Sequence, residues 1–165
     1  MHVFVTGERQ IGKSVVIQRA VSLLGLPAYG FLTRFHGGDS LYMAAPSRAG
    51  RPDSADRIAF RNQGRIELMG DSFDRIAVGL LREARAHPEG IILMDECGHL
   101  ESGRIRFLQE VLHCLDGEIP VLGALRLGQL WHEPIKTHSR VRVFTVTLEN
   151  RDSLPAQIAQ VLTEK

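Results

Sequence analysis

The 165-residue chain has 44% hydrophobic and 24% charged residues and a formal net charge of +1, which suits one globular domain over residues 1–165 with its own core. The near-neutral balance, with no basic run, gives no support for nucleic-acid binding by bulk electrostatics, and no segment approaches the roughly 18 apolar residues of a membrane span. The Met1-His2-Val3-Phe4-Val5 start lacks the pattern of a signal peptide, and Cys97 and Cys114 make no disulfide framework, so the expected compartment is a reducing cytoplasm.

The first predicted strand is His2-Val3-Phe4-Val5-Thr6, and the apolar-periodic stretch over 13–24 predicts a helix stopped by Gly25 and Pro27. Between them, Gly7-Glu8-Arg9-Gln10-Ile11-Gly12-Lys13-Ser14 fills the phosphate-loop pattern G-x-x-x-x-G-K-[ST] without mismatch, in the strand–loop–helix setting the motif requires. A loop held by glycines turns successive N–H groups inward as an anion nest, and the helix behind it adds its positive dipole end. Lys13 is expected to reach the β- and γ-phosphates and the Ser14 hydroxyl to ligate Mg²⁺. With Val15 continuing the run, residues 7–15 are the expected nucleotide cradle for ATP, GTP and other nucleoside triphosphates.

Two strand-like runs, Tyr29 to Phe35 and Ser40 to Ala45, surround the turn His36-Gly37-Gly38-Asp39 and predict an antiparallel hairpin. Residues 46–56, rich in Pro, Ser, Gly and Arg, read as an exposed loop; residues 58–68 are ambiguous, with one short strand expected. A helix follows with Asp71 or Ser72 as N-cap and Phe73, Ile76, Ala77, Leu80, Leu81 and Ala84 on one face. Gly90-Ile91-Ile92-Leu93-Met94 is continuously apolar, as a strand buried on both faces should be. Next come a helix at about 103–116, with Ile105, Leu108, Val111, Leu112 and Leu115 inward, and a buried strand at 120–125. The last strand spans 141–147 and the closing helix 154–162. This alternation predicts a mainly parallel α/β sheet.

The buried strand runs directly into Asp95-Glu96. Buried carboxylates are expensive without partners, and at the carboxyl edge of a parallel sheet they meet the ligand crevice. Asp95 is expected to hold magnesium through water opposite Ser14, and Glu96 to polarise the attacking water, with Lys13 as its catalytic companion.

The acidic turn, Asp95-Glu96-Cys97-Gly98-His99-Leu100-Glu101, resembles the D-E-I-G-x-M-E segment of the thermophile-type, or cancer-related, nucleoside-triphosphatase family. Thr147-Leu148-Glu149-Asn150-Arg151-Asp152 is similar to its T-x-E-N-R-D, and Gly30-Phe31-Leu32-Thr33 to its G-F-x-T. The resemblance spans most of the chain in matching order. It implies a three-layer, RecA-like P-loop fold with an added β-hairpin, and slow Mg²⁺-dependent hydrolysis of nucleoside triphosphates to diphosphates. The chain departs from that family at the phosphate loop, where Arg9-Gln10 replace Pro-Gly and Val15 replaces a second hydroxyl. It also lacks the R-x-G-F and Gly-x-Tyr stretches between Ser40 and Asp71.

Other residues carry two readings each. Asn150-Arg151 can contact the base or ribose, or start the last helix with Asn150 or Asp152 as cap. Arg126 can approach the γ-phosphate as an internal arginine finger, in competition with Arg104 and Arg106; surface arginine is the plain alternative. Glu101 can orient Glu96 or Lys13, or face water. Cys97, His99, His113, Cys114, His132 and His138 lack the spacing of a transition-metal site. Trp131 reads as core or lid packing, with a base cover as the alternative. Two rival functions remain open. One is a phosphotransferase whose lid is residues 46–70, with Arg48, Arg51, Arg57, Arg61 and Arg65. The other is a nucleotide-dependent switch or assembly accessory protein with little turnover.

Overall fold

The computed structural model describes residues 1–98 and 103–164. Eight strands form one sheet in the order β5-β4-β3-β2-β6-β7-β1-β8: β1 His2–Thr6, β2 Ala28–His36, β3 Ser40–Ala44, β4 Arg57–Asn62, β5 Arg65–Leu68, β6 Ile91–Cys97, β7 Val121–Leu125 and β8 Val141–Thr145. The five strands β2, β6, β7, β1 and β8 are mutually parallel, while β3, β4 and β5 add an antiparallel meander to the β2 edge. The helices are α1 Lys13–Leu24, α2 Ser72–Ala84, α3 Ile105–Asp116, the single turn α4 Glu133–Lys136, and α5 Leu154–Thr163.

The continuous apolar strands are explained by two cores, one on each face. Residues alternate along a strand, so Ile92 and Met94 of β6 join Phe4, Phe31, Phe73 and Phe107 on the side of α2 and α3. Ile91 and Leu93 point the other way, toward Val3, Val5, Val16, Ile17, Leu154 and Ile158 under α1 and α5. Each fully buried side chain of this size contributes on the order of 1.5–3 kcal/mol. Gly30 sits in β2 with φ +88°, where an added Cβ would collide with the Leu93 backbone of the neighbouring strand. The glycine of the G-F-L-T stretch is thus required by close strand packing.

Several expectations need correction. Residues 58–68 form two paired strands, β4 and β5, turning at Gln63-Gly64, instead of one; strand propensity there was masked by arginines that the edge leaves in water. Helix α3 buries Val111 and Leu115 and packs Leu108 and Leu112 on the core as expected, but the buried face leaves out Ile105 and takes in residues beyond the apolar stripe. Ile105 is 71% exposed, while Phe107, Glu110 and Cys114 are buried. The buried Glu110 carboxylate is held by Arg82 at 3.0 Å and Arg85 at 2.6 Å from α2, and this ion-paired contact sets the helix phase. The 46–56 loop is pinned by Arg48, which donates two hydrogen bonds to the buried Asp56. Strand β6 continues through the acids to Cys97, and β8 stops at Thr145.

Two fully buried histidines join the layers. His2 lies between the Leu115 carbonyl, 2.9 Å from Nε2, and the Val121 N–H, which donates to Nδ1 at 3.2 Å. His132 packs against the backbone of Cys97 and Arg126. Burial pushes both imidazoles down to about 4. Because the folded-state values are lowered, their contribution to stability is complete above about pH 6.5, the ordinary value, and is lost as pH falls toward 4. Urea unfolding should therefore give a free energy that declines from pH 6.5 to 4, with proton uptake on unfolding. A profile flat down to pH 5 would contradict this neutral, buried state.

Candidate active site

In the parallel part of the sheet every strand ends on the same edge. That edge gathers the loop after β1, the acids of β6, Arg126 after β7, the turn after β8, and the far half of β2. A cleft of about 590 Å³ is lined there by Gly7, Glu8, Arg9, Gln10, Lys13 and Glu96, with Arg61 and Ile66 reaching in from the β4–β5 hairpin. A second cavity of about 240 Å³ adjoins it, sharing Phe35, Ile66, Glu96 and Arg126 and adding Ser14, Thr33, Arg34, Leu41 and Asp95.

The phosphate loop keeps its turn despite the sequence departures. Gln10 adopts the left-handed region at φ 63°, flanked by Gly7 at 146° and Gly12 at 107°. A non-glycine residue there costs roughly 1 kcal/mol, so the loop retains the backbone shape at the expense of local strain. A Cβ on Gly7 would stand 2.8 Å from the Val146 carbonyl oxygen, so the loop is clamped against the end of β8. The Lys13 ammonium is buried at the mouth of the loop; it donates to the carbonyls of Gly7 and Glu8, each at 3.1 Å, and pairs with Glu96 at 3.7 Å. Val15 is half exposed on α1.

Asp95 is 1% exposed and receives two donors. The Ser14 hydroxyl donates to Oδ1 at 3.2 Å, and the Arg34 guanidinium donates to Oδ2 at 2.8 Å. Pairing of β6 with β7 shifts register between Met94 and Cys97, so the two acids sit where the ladder is interrupted. Such irregularities re-aim side chains. Asp95 turns toward the phosphate loop, and Glu96 lies beside Lys13 with 38% of its side chain exposed. Beyond them the Trp131 indole N–H donates to the Gly98 carbonyl at 2.9 Å, and its ring meets Phe107 edge-on at 6.0 Å. Trp131 is thus a support behind the acidic turn.

The structure sorts the remaining candidates. Arg104 pairs with Asp74 at 2.7 Å and lies over the Phe73 ring, and Arg106 faces the α2–α3 surface; neither borders the cleft. Arg126 does border it. Asn150 spends its amide on its own turn, accepting from the Thr147 N–H at 2.8 Å and donating to the Thr145 carbonyl at 2.8 Å, while Arg151 is exposed. Glu101, with His99 and Leu100, lies outside the described residues. No group of three or more His, Cys, Asp or Glu among the described residues could hold a metal by itself. Sequence reasoning missed Arg34. Its only signal was an arginine two positions beyond Leu32, the residue that pairs with Asp95.

A family model described as NTPase matches residues 2–159. The cancer-related nucleoside-triphosphatase homolog of Bos taurus is 31% identical over 95% of this chain and 94% of its own length. The nucleoside-triphosphatase THEP1 of Thermofilum pendens is 28% identical over 94% of this chain and 91% of its own. The solution structure of a human cancer-related nucleoside triphosphatase superposes with a TM-score of 0.77 at 25% identity, covering 99% of both chains. The crystal structure of THEP1 from Aquifex aeolicus superposes with a TM-score of 0.79 at 22% identity over 99% of this chain and 100% of that one, a likeness of fold. With the phosphate loop and the acids of β6 on one sheet edge and a family model matching nearly its whole length, the chain belongs to the NTPase family.

Proposed function

We propose that this chain hydrolyses nucleoside 5'-triphosphates, ATP and GTP among them, to the diphosphate and phosphate, with Mg²⁺ as cofactor, as one domain over residues 1–165. The observation that carries the reading is the pairing of the two motifs: Ser14 bonded to Asp95 and Lys13 set against Glu96. A cradle alone would bind; a carboxylate beside it can also activate water.

The donors fit a hard divalent cation, because the Ser14 hydroxyl and the Asp95 carboxylate bring two oxygens within 3.2 Å of each other beside the phosphate loop. Bound there, Mg²⁺ would supply positive charge to the β- and γ-phosphate oxygens. The N–H groups of residues 7–15 receive the phosphates, and Lys13 leaves the loop carbonyls to meet them. Glu96, freed from Lys13, accepts a proton from the water that attacks the γ-phosphorus in line. The neighbouring 240 Å³ cavity beside Glu96 gives that water its access. The same cavity, walled by Phe35, Leu41 and Ile66, is the one observation favouring the second reading, transfer to a small acceptor.

Nothing in the phosphate machinery reads the base, so base tolerance should be broad. Asn150 shapes the turn after β8, and Arg151 is the exposed group there that can meet base or ribose. The near-neutral charge argues against nucleic acid as a partner. No described helix is long and apolar enough to cross a membrane, and the two cysteines are free and buried, which suits a cytoplasmic site of action.

Three measurements test these roles. Lys13→Ala should lose most nucleotide affinity by calorimetry, since it removes the one buried cation of the cradle; unchanged affinity would sink the phosphate-loop assignment. Glu96→Gln should lower phosphate release from ATP and GTP by roughly 10²–10⁴-fold with binding nearly kept. If release is unaltered, or if it appears only when a small acceptor is added, hydrolysis through Glu96 is wrong. Arg151→Ala should weaken ATP and GTP by about 1–3 kcal/mol while sparing tripolyphosphate, with Asn150→Ala as the control for the turn; equal losses for all three ligands in Arg151→Ala would remove the base contact.

A further inference from the structure

Arg34 holds the one side of Asp95 that Ser14 does not. It leaves β2 two residues past the point where that strand pairs with Asp95, and its Nη1 donates to the Thr33 carbonyl at 2.9 Å, which fixes the guanidinium plane. Its Nη2 lies 2.8 Å from Oδ2, with the arginine 32% exposed and the carboxylate 1% exposed. One face of the guanidinium is therefore anchored in the core, and the rest opens into the cavity shared with Ser14, Glu96 and Arg126.

We propose that Arg34 is the residue that senses the γ-phosphate, acting as an arginine finger carried by the chain's own second strand. This rests on the nucleoside-triphosphatase reading. A carboxylate buried to this degree needs a compensating charge, and in the structure Arg34 supplies it. A divalent cation held by Asp95 and Ser14 would meet that requirement from the other side and leave the guanidinium free to move. A γ-phosphate bound beside the Ser14–Asp95 contact would lie within a short swing of the Arg34 fork, whose geometry suits phosphate oxygens. A diphosphate offers no acceptor at that place, so Arg34 adds nothing to its binding. The pair thus distinguishes triphosphate from diphosphate, and the charge on Arg34 offsets the charge that grows on the transferred group. Arg126 borders the same cleft from the end of β7, while Arg104 and Arg106 face the α2–α3 side.

The test is the ratio of affinities for a non-hydrolysable β,γ-imido ATP analogue and for ADP, by calorimetry with Mg²⁺, in wild type, Arg34→Ala, Arg34→Gln and Arg34→Lys. Arg34→Ala and Arg34→Gln should weaken the analogue by about 10–100-fold and ADP by less than about 2-fold. Arg34→Lys should recover part of the analogue affinity. Should the alanine variant fail to fold, the glutamine and lysine variants give the same ratio. Equal losses for the two ligands would mean that Arg34 only supports Asp95, and no loss would mean that it plays no part; either overturns the proposal. Lys13→Ala, which should weaken both ligands, is the control. If it too has no effect, the fault lies with the nucleoside-triphosphatase reading and not with Arg34 alone.

Discussion

The carboxylate of Asp95 ties together three pieces of chain that are remote in sequence. It rises from the central strand β6, takes a hydroxyl from the first turn of α1, and takes a guanidinium from the outer half of β2. A charge so fully removed from water is tolerable only with partners of good geometry. Satisfying it fixes the position of the phosphate loop relative to the sheet. It also holds the antiparallel meander close to the cleft, because Arg34 leads directly into the β2–β3 hairpin. One buried ionic group therefore sets the spacing between the helix that would receive phosphate and the extension that walls the site.

Around that group the sheet topology does most of the gathering. Parallel strands deliver all their carboxyl ends to one edge, and so the phosphate loop, the acids and Arg126 meet there without any long-range sequence signal. The remainder of the molecule supports this edge from behind. Trp131 and His132 press on the backbone after Glu96, Phe107 connects them to Phe31 and Phe73, and Glu110 locks the two helices above that core.

Much of this was legible in sequence where the signal was local. The phosphate loop names itself through fixed glycines and lysine, the parallel strands through unbroken apolar runs, and α1, α2 and α5 through their stops and period. Legibility failed where the deciding interaction was distant. The phase of α3 depends on arginines some 25 to 28 residues earlier that grip Glu110, so hydrophobic counting alone put Ile105 inside. The outer strand β4 and the edge strand β5 carry arginines that mimic a loop. Arg34 is an ordinary strand residue until β2 is laid beside β6, a neighbour 61 positions away in sequence. The amide of Asn150 could be assigned to its own turn only once the positions of Thr145 and Thr147 were fixed.

The chain has a single tryptophan, and its indole N–H is bonded to the carbonyl that follows Glu96 and Cys97. Indole emission responds to the polarity and hydrogen bonding of its surroundings, and here no second indole dilutes the signal. The molecule therefore carries its own optical probe, bonded to the backbone just past the β6 acids. A ligand that shifts the backbone after Glu96 should change the emission, and its arrival can be followed in the unlabelled protein in real time.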